Sequence, residues 1–127
     1  MELPDGRIIT GKTSDLLGAS SALLLNALKA LCGMEKELHL ISPQALDPIQ
    51  HLKIEHLGNR NPRLHTDETL IALSISAATD PRAEQAMEQL GALRGCEVHS
   101  SVILSAVDEK TFKRLGINLT CEPRYKA

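Results

Sequence analysis

Residues 16–32 (LLGASSALLLNALKALC) are apolar around almost the whole circumference of a helix, interrupted by Asn26 and Lys29. A helix of that kind is buried on all sides. Its early small residues, Gly18, Ala19, Ser20, Ser21 and Ala22, let another backbone approach closely. Such a helix needs a layer to lie against, so a sheet is expected beside it. Ser14 or Asp15 is placed to cap the helix, and Gly33 stands where a terminating glycine belongs.

The rest of the chain supplies short strands between helices. Pro4-Asp5-Gly6 is a turn signal, and residues 7–10 read as a strand after it. Glu2 and Leu3 read as the end of a strand whose start lies upstream, which suggests a piece of a longer protein. Residues 37–41 read as a second strand. Ser42-Pro43 then opens a helix over residues 44–57, kinked near Pro48 and closed by Gly58. Thr66 is expected to cap a helix over residues 69–78, although Ile71, Leu73 and Ile75 alternate as in a strand. Asp80-Pro81 restarts a helix to Leu93. Residues 98–104 make the best strand, Asp108 is expected to cap a helix ending at Gly116, and residues 117–121 form a last strand closed by Pro123. The alternation predicts an α/β fold with a partly parallel sheet in one domain of 127 residues.

Composition narrows the function. Phe112 and Tyr125 are the only aromatic residues, so the core is built from Leu, Ile, Val and Ala, and the stacking platforms of single-stranded nucleic-acid binders are missing. With a net charge of −2 and no basic block, no nucleic-acid partner is expected. The longest apolar segment is too short to span a bilayer, and residues 1–6 carry no signal-peptide pattern, so no membrane partner is expected. Three cysteines fit a reduced, cytoplasmic compartment better than a disulfide framework.

Residues 6–13 (GRIITGKT) satisfy the phosphate-loop pattern G-x-x-x-x-G-K-[ST]. Their context argues against it. A turn rather than a strand precedes Gly6, the middle residues Arg7, Ile8, Ile9 and Thr10 favour a strand, and the helix starts after Lys12. What survives is a strand-to-helix junction, Gly11, Lys12, Thr13 and Ser14, offering N–H groups, an ammonium and hydroxyls to a phosphate or carboxylate. The second polar cluster is the loop holding Asn59, Arg60, Asn61, Arg63 and His65, whose forked arginine donors suit an anion. Metal binding is not expected: Cys96 and His99 would point to opposite faces of one strand, and no C-x-x-C pair exists. No G-x-S-x-G elbow presents a serine nucleophile.

Residues 3–14 (LPDGRIITGKTS), 57–68 (LGNRNPRLHTDE) and 116–123 (GINLTCEP) together resemble the C-terminal part of a bacterial family of uncharacterised proteins, the domain of unknown function 1846 family. The resemblance runs over nearly the whole chain, and family members are several times longer. It implies a three-layer α/β/α sandwich around a small mixed sheet, similar in outline to the cytidine-deaminase fold. It implies no established activity, cofactor or catalytic residue. The sequence therefore leads to a cytoplasmic α/β domain binding a small anionic ligand or nucleotide within a larger protein. One alternative is a structural or homo-oligomerising domain packed on sister subunits or on the N-terminal domain of the full-length protein. Another is phosphate-loop ATP hydrolysis.

Overall fold

The apolar segment forms the first helix, α1 (Ala19–Leu31), in a computed structural model that describes residues 1–122. Its buried residues run almost continuously from Ser20 to Lys29, as a helix apolar all round requires. It starts later than its sequence suggests. The Ser14 hydroxyl accepts the N–H groups of Leu16 (3.3 Å) and Leu17 (3.1 Å) in a turn ahead of the helix, and Gly18 stands at the N-cap without a side-chain bond. Cys32 and Gly33, the latter at φ +68°, end the helix where expected.

The sheet is small, two parallel strands extended at one edge by isolated antiparallel bridges. Strands β1 (Glu97–Ser100) and β2 (Asn118–Cys121) are parallel, with Glu97 opposite Asn118 and Ser100 opposite Cys121. Glu2 forms antiparallel bridges to Glu97 on one side and to Ile8 on the other. Residues 1–3 and 7–9 are thus a tight hairpin added to the β1 edge. Gly6, at φ +88°, turns it, with Gly6 N–H bonded to the Leu3 carbonyl (2.9 Å) and Ile9 N–H to the Met1 carbonyl (2.8 Å). The side chains alternate as a pleat demands. Met1, Leu3 and Val98 are buried, whereas Glu2, Glu97, His99, Asn118 and Thr120 are exposed. The described residues therefore cover one face of the sheet and leave the other, a polar face, open. The fold is mixed α/β.

The other helices are α2 (Pro43–His51), α3 (Thr66–Ala77), α4 (Pro81–Glu88) and α5 (Ala106–Arg114). Ser42 caps α2 by accepting the Ala45 N–H (3.2 Å), with Pro43 in the first turn. Pro48 lies inside α2, and the helix continues as a π-helical turn (Leu52–His56) before Gly58 at φ +69°. Asp80 caps α4 through the Arg82 N–H (2.9 Å), and a 3-10 turn (Leu90–Leu93) carries the chain to Gly95. Helices α3 and α4 pack together, and α5 lies between the two parallel strands in sequence, burying Phe112 completely.

Several expected elements are different. Residues 37–41 are not a strand: Leu40 and Ile41 are buried, but the carbonyls of Lys36 and Leu38 are taken up by the buried Lys29 ammonium rather than by a ladder. Burial, eased by nearby Glu37, pushes the Lys29 pKa below its ordinary value. Strand β1 stops at Ser100, because its hydroxyl accepts the Val102 N–H (3.2 Å) and turns the chain out of the sheet. The strand β2 forms as expected, and Pro123, read as its closing residue, lies outside the described residues.

The two expected caps have changed owners. Ser105, not Asp108, caps α5 by accepting the Asp108 N–H (3.2 Å). His65, not Thr66, precedes α3, and Thr66 is its first helical residue. Asp108 is left free to accept from both the Thr66 N–H (3.0 Å) and the Thr66 hydroxyl (2.9 Å), holding the start of α3 from 42 residues away.

One turn further on, Thr69 is fully buried, and its hydroxyl has no partner among the described residues. An unmade buried hydrogen bond is costly, so Thr69→Val, which keeps the shape, should raise stability by about 1 kcal/mol. Thermal unfolding checks this; a lowered Tm would mean the hydroxyl has a partner after all.

Candidate functional site

The hairpin places its outgoing arm across α1. Gly11 lies so close that a Cβ there would stand 2.5 Å from the Leu23 nitrogen and 2.6 Å from the Ala19 oxygen. Asn26 Nδ2 donates to the Thr10 carbonyl (3.0 Å) and pins this crossing. The string 6–13 is therefore a hairpin tip, a paired arm and a helix crossing; it does not wrap an empty centre with its backbone. Its two glycines serve separate purposes, a positive-φ turn at Gly6 and a close approach at Gly11.

Beyond the crossing, the arm borders a cavity of about 880 Å³. Gly11, Lys12 and Thr13 line one side of it, with Ala19 and Ser20 from the first turn of α1. The carboxyl ends of the parallel strands line another side through His99, Ser100, Thr120 and Glu122. Open α/β sheets bind ligands at this end of their strands.

The start of α1 is electrostatically open. The first intrahelical bond runs from Ala22 N–H to the Gly18 carbonyl (3.0 Å), so the N–H groups of the first turn have no acceptor within the helix. Ser20, in the first turn, is only 6% exposed and lines the cavity. The opposite part of the cavity is acidic, with Glu2, Glu97 and Glu122; Glu122 Oε2 lies 3.9 Å from His99 Nε2. Cys96, beside the cavity-lining Glu97 in the chain, has its thiol pKa pushed up by burial, opposed by the Met1 ammonium and reinforced by Glu2. Among the described residues, no group of three or more His, Cys, Asp or Glu side chains could hold a metal ion.

The nine residues singled out from the sequence do not come together in one place. Gly11, Lys12 and Thr13 border the cavity. Ser14 and Arg63 are brought together instead of facing it: Arg63 Nε donates to the Ser14 carbonyl (2.6 Å), and Leu17 bridges Leu64 in parallel. This joins the two polar loops, but it occupies the arginine fork with backbone. Asn61 Oδ1 accepts the Arg63 N–H (3.0 Å), so Asn61 shapes the loop. Asn59 and Arg60 are exposed, and neither lines the cavity. His65 Nδ1 lies 4.0 Å from Asp108 Oδ1, at the start of α3.

Two residues at these loops escape sequence reading. Ser20 looks like one small residue among several in α1. Lys53 reads as a solvated helix lysine, yet it is only 3% exposed, and its ammonium donates to the Arg63 carbonyl (2.6 Å) and to Glu68 Oε1 (2.8 Å). The same Glu68 oxygen accepts the His65 N–H (2.9 Å), so one ion pair fixes both the loop exit and the start of α3.

The family model described as "Domain of unknown function DUF1846, C-terminal" matches residues 1–127. Among relatives, the UPF0371 protein DIP2346 of Corynebacterium diphtheriae is 59% identical over 126 residues, which is 99% of this chain and 25% of the relative. The UPF0371 protein CE2832 of Corynebacterium efficiens is 60% identical over 124 residues, 98% of this chain and 25% of the relative. A UPF0371 protein of Streptococcus pneumoniae is 53% identical over 125 residues, again 98% of this chain and 25% of the relative. The chain spans about a quarter of the length of these curated relatives. It belongs to the bacterial DUF1846 family of unknown function, whose C-terminal domain it matches from end to end.

Proposed function

We propose that this domain binds a small phosphate-bearing ligand in the 880 Å³ cavity, with the phosphate at the start of α1. The observation that carries the proposal is the first turn of α1, which has no side-chain cap and whose Ser20 lines the same space as Lys12 and Thr13. Free N–H groups, the helix dipole, a hydroxyl pair and one ammonium form a chemically consistent anion cradle. Glu2, Glu97 and Glu122 give the cavity a second, acidic side. A ligand with hydroxyl or amino donors away from its phosphate, as in a nucleotide, suits both sides better than a bare anion. Arg60 and Arg63 drop out of the contact set, because neither lines the cavity.

The three-layer sandwich belongs to this reading as well. In the longer relatives, we take chain outside the matched quarter to cover the open side of the sheet at Asn118 and to close over the cavity that Glu97, His99 and Thr120 line. That cover has to be polar to satisfy these side chains.

Thermal unfolding of the 127-residue chain with inorganic phosphate, pyrophosphate and ATP, each at matched ionic strength, tests the site. Any ligand at about 100 times its Kd should stabilise the domain by roughly 2.7 kcal/mol. Lys12→Ala should weaken that ligand about tenfold, the loss of about 1.4 kcal/mol expected for one charge-assisted hydrogen bond. No shift with any of the three, or a shift untouched in both Lys12→Ala and Ser20→Ala, would sink the proposal.

A further inference from the structure

Helix α3 leaves two of its large apolar residues outside. Thr66, Thr69, Ala72 and Leu73 face inward, whereas Ile71 and Ile75 point out at 59% and 69% exposure. Four residues apart, they lie one above the other and make one continuous apolar ridge. Isolated exposed apolar residues are ordinary on protein surfaces. A stacked, exposed β-branched pair on a helix that buries Thr66 and Thr69 calls for cover.

Two candidates can supply the cover: a second copy of this chain, or the rest of the longer polypeptide. Size decides between them. Two isoleucine side chains offer on the order of 200 Å² of apolar surface. A stable association of free molecules needs roughly 800 Å² from each partner. The ridge is too small for a dimer of free copies. It suffices when the partner is tethered, because a covalent link supplies an effective concentration in the millimolar range. The relatives carry such a tethered partner, since about three quarters of their length lies outside the matched region. We infer that the Ile71–Ile75 ridge of α3 is the docking surface for the N-terminal part of the full-length family protein. The matching feature there is an apolar groove wide enough for one helix ridge.

The proposal predicts a weak contact in trans and a firm one in cis. The 127-residue chain, isotopically labelled, is titrated with the separately expressed N-terminal three quarters of the Corynebacterium diphtheriae relative and followed by NMR. Amide shifts should concentrate in α3 at millimolar partner, and Ile71→Glu with Ile75→Glu should abolish them while leaving the Tm of the isolated chain unchanged. In parallel, this chain replaces the matched quarter of the relative. Hydrogen exchange of α3 should then slow at least tenfold compared with the isolated chain, and the double variant should reverse the slowing. Shifts confined to other elements, or unaltered α3 exchange in the fused protein, would overturn the inference. So would concentration-dependent α3 shifts in the chain alone, which would assign the ridge to a second copy.

Discussion

Gly11→Ala should destabilise the domain by about 3 kcal/mol or more, the upper range for forcing atoms into a packed contact. The added Cβ would stand 2.5 Å from Leu23 nitrogen, 2.6 Å from Ala19 oxygen and 2.7 Å from Leu23 Cα. All three are atoms of a helix backbone, so no side chain can rotate away. Either the hairpin arm lifts off α1, breaking the Asn26–Thr10 bond, or α1 moves within a core that buries Leu24, Ala27 and Leu28 completely. For a chain of this length the loss corresponds to roughly 10 °C in Tm. Gly6→Ala is the internal control. A Cβ there meets nothing within 4 Å, and only the positive φ of +88° opposes it, at about 1 kcal/mol. A phosphate-wrapping loop would give a different result, with ligand binding lost in both variants and stability little altered. Urea unfolding of the two proteins therefore separates a structural string from a catalytic one. A Gly11→Ala protein as stable as the parent would refute the close crossing.

Asp108→Ala should cost about 2–4 kcal/mol, although its carboxylate looks from the sequence like an ordinary helix cap. Its Oδ1 accepts two donors of Thr66, a residue with no exposed surface, so truncation leaves a buried N–H and a buried O–H without partners. It also removes a negative charge from the positive end of α3. Asp108→Asn retains an acceptor oxygen and should lose roughly half as much. Adding Thr66→Val to Asp108→Ala removes one of the two orphaned donors and should recover about 1 kcal/mol, which a double-mutant cycle reads directly. Equal losses for the alanine and asparagine variants would show that packing, not hydrogen bonding, is what Asp108 supplies.

The elements easiest to foresee were those whose signals are local. Ser42-Pro43 and Asp80-Pro81 open helices α2 and α4 as expected, because a side-chain oxygen next to a proline leaves the backbone few other choices. Helix α3 formed despite the alternation of Ile71, Leu73 and Ile75, and that alternation was in fact its outward ridge against its inward Leu73. Residues 37–41 misled because an apolar run looks the same whether it will pair with a neighbour or be tied down by a distant lysine. Of the nine proposed contact residues, the three on the hairpin arm border the cavity. Arg63 does not, since the Leu17–Leu64 bridge that joins the loops also turns its guanidinium onto the Ser14 carbonyl.

Sequence alone determined the membership and the ingredients: the buried α1, the Pro-Asp-Gly hairpin turn, the parallel strands separated by a short helix, and the family to which they belong. These follow from periodicity, capping and turn chemistry, which act within a few residues. Only the tertiary structure decided that Gly11 is a crossing point, that Asp108 caps a helix 42 residues away, and that Ser20 faces a cavity beside Lys12. Each depends on which segments become neighbours. That is settled by packing around α1, whose all-round apolar surface accepts several partners and names none.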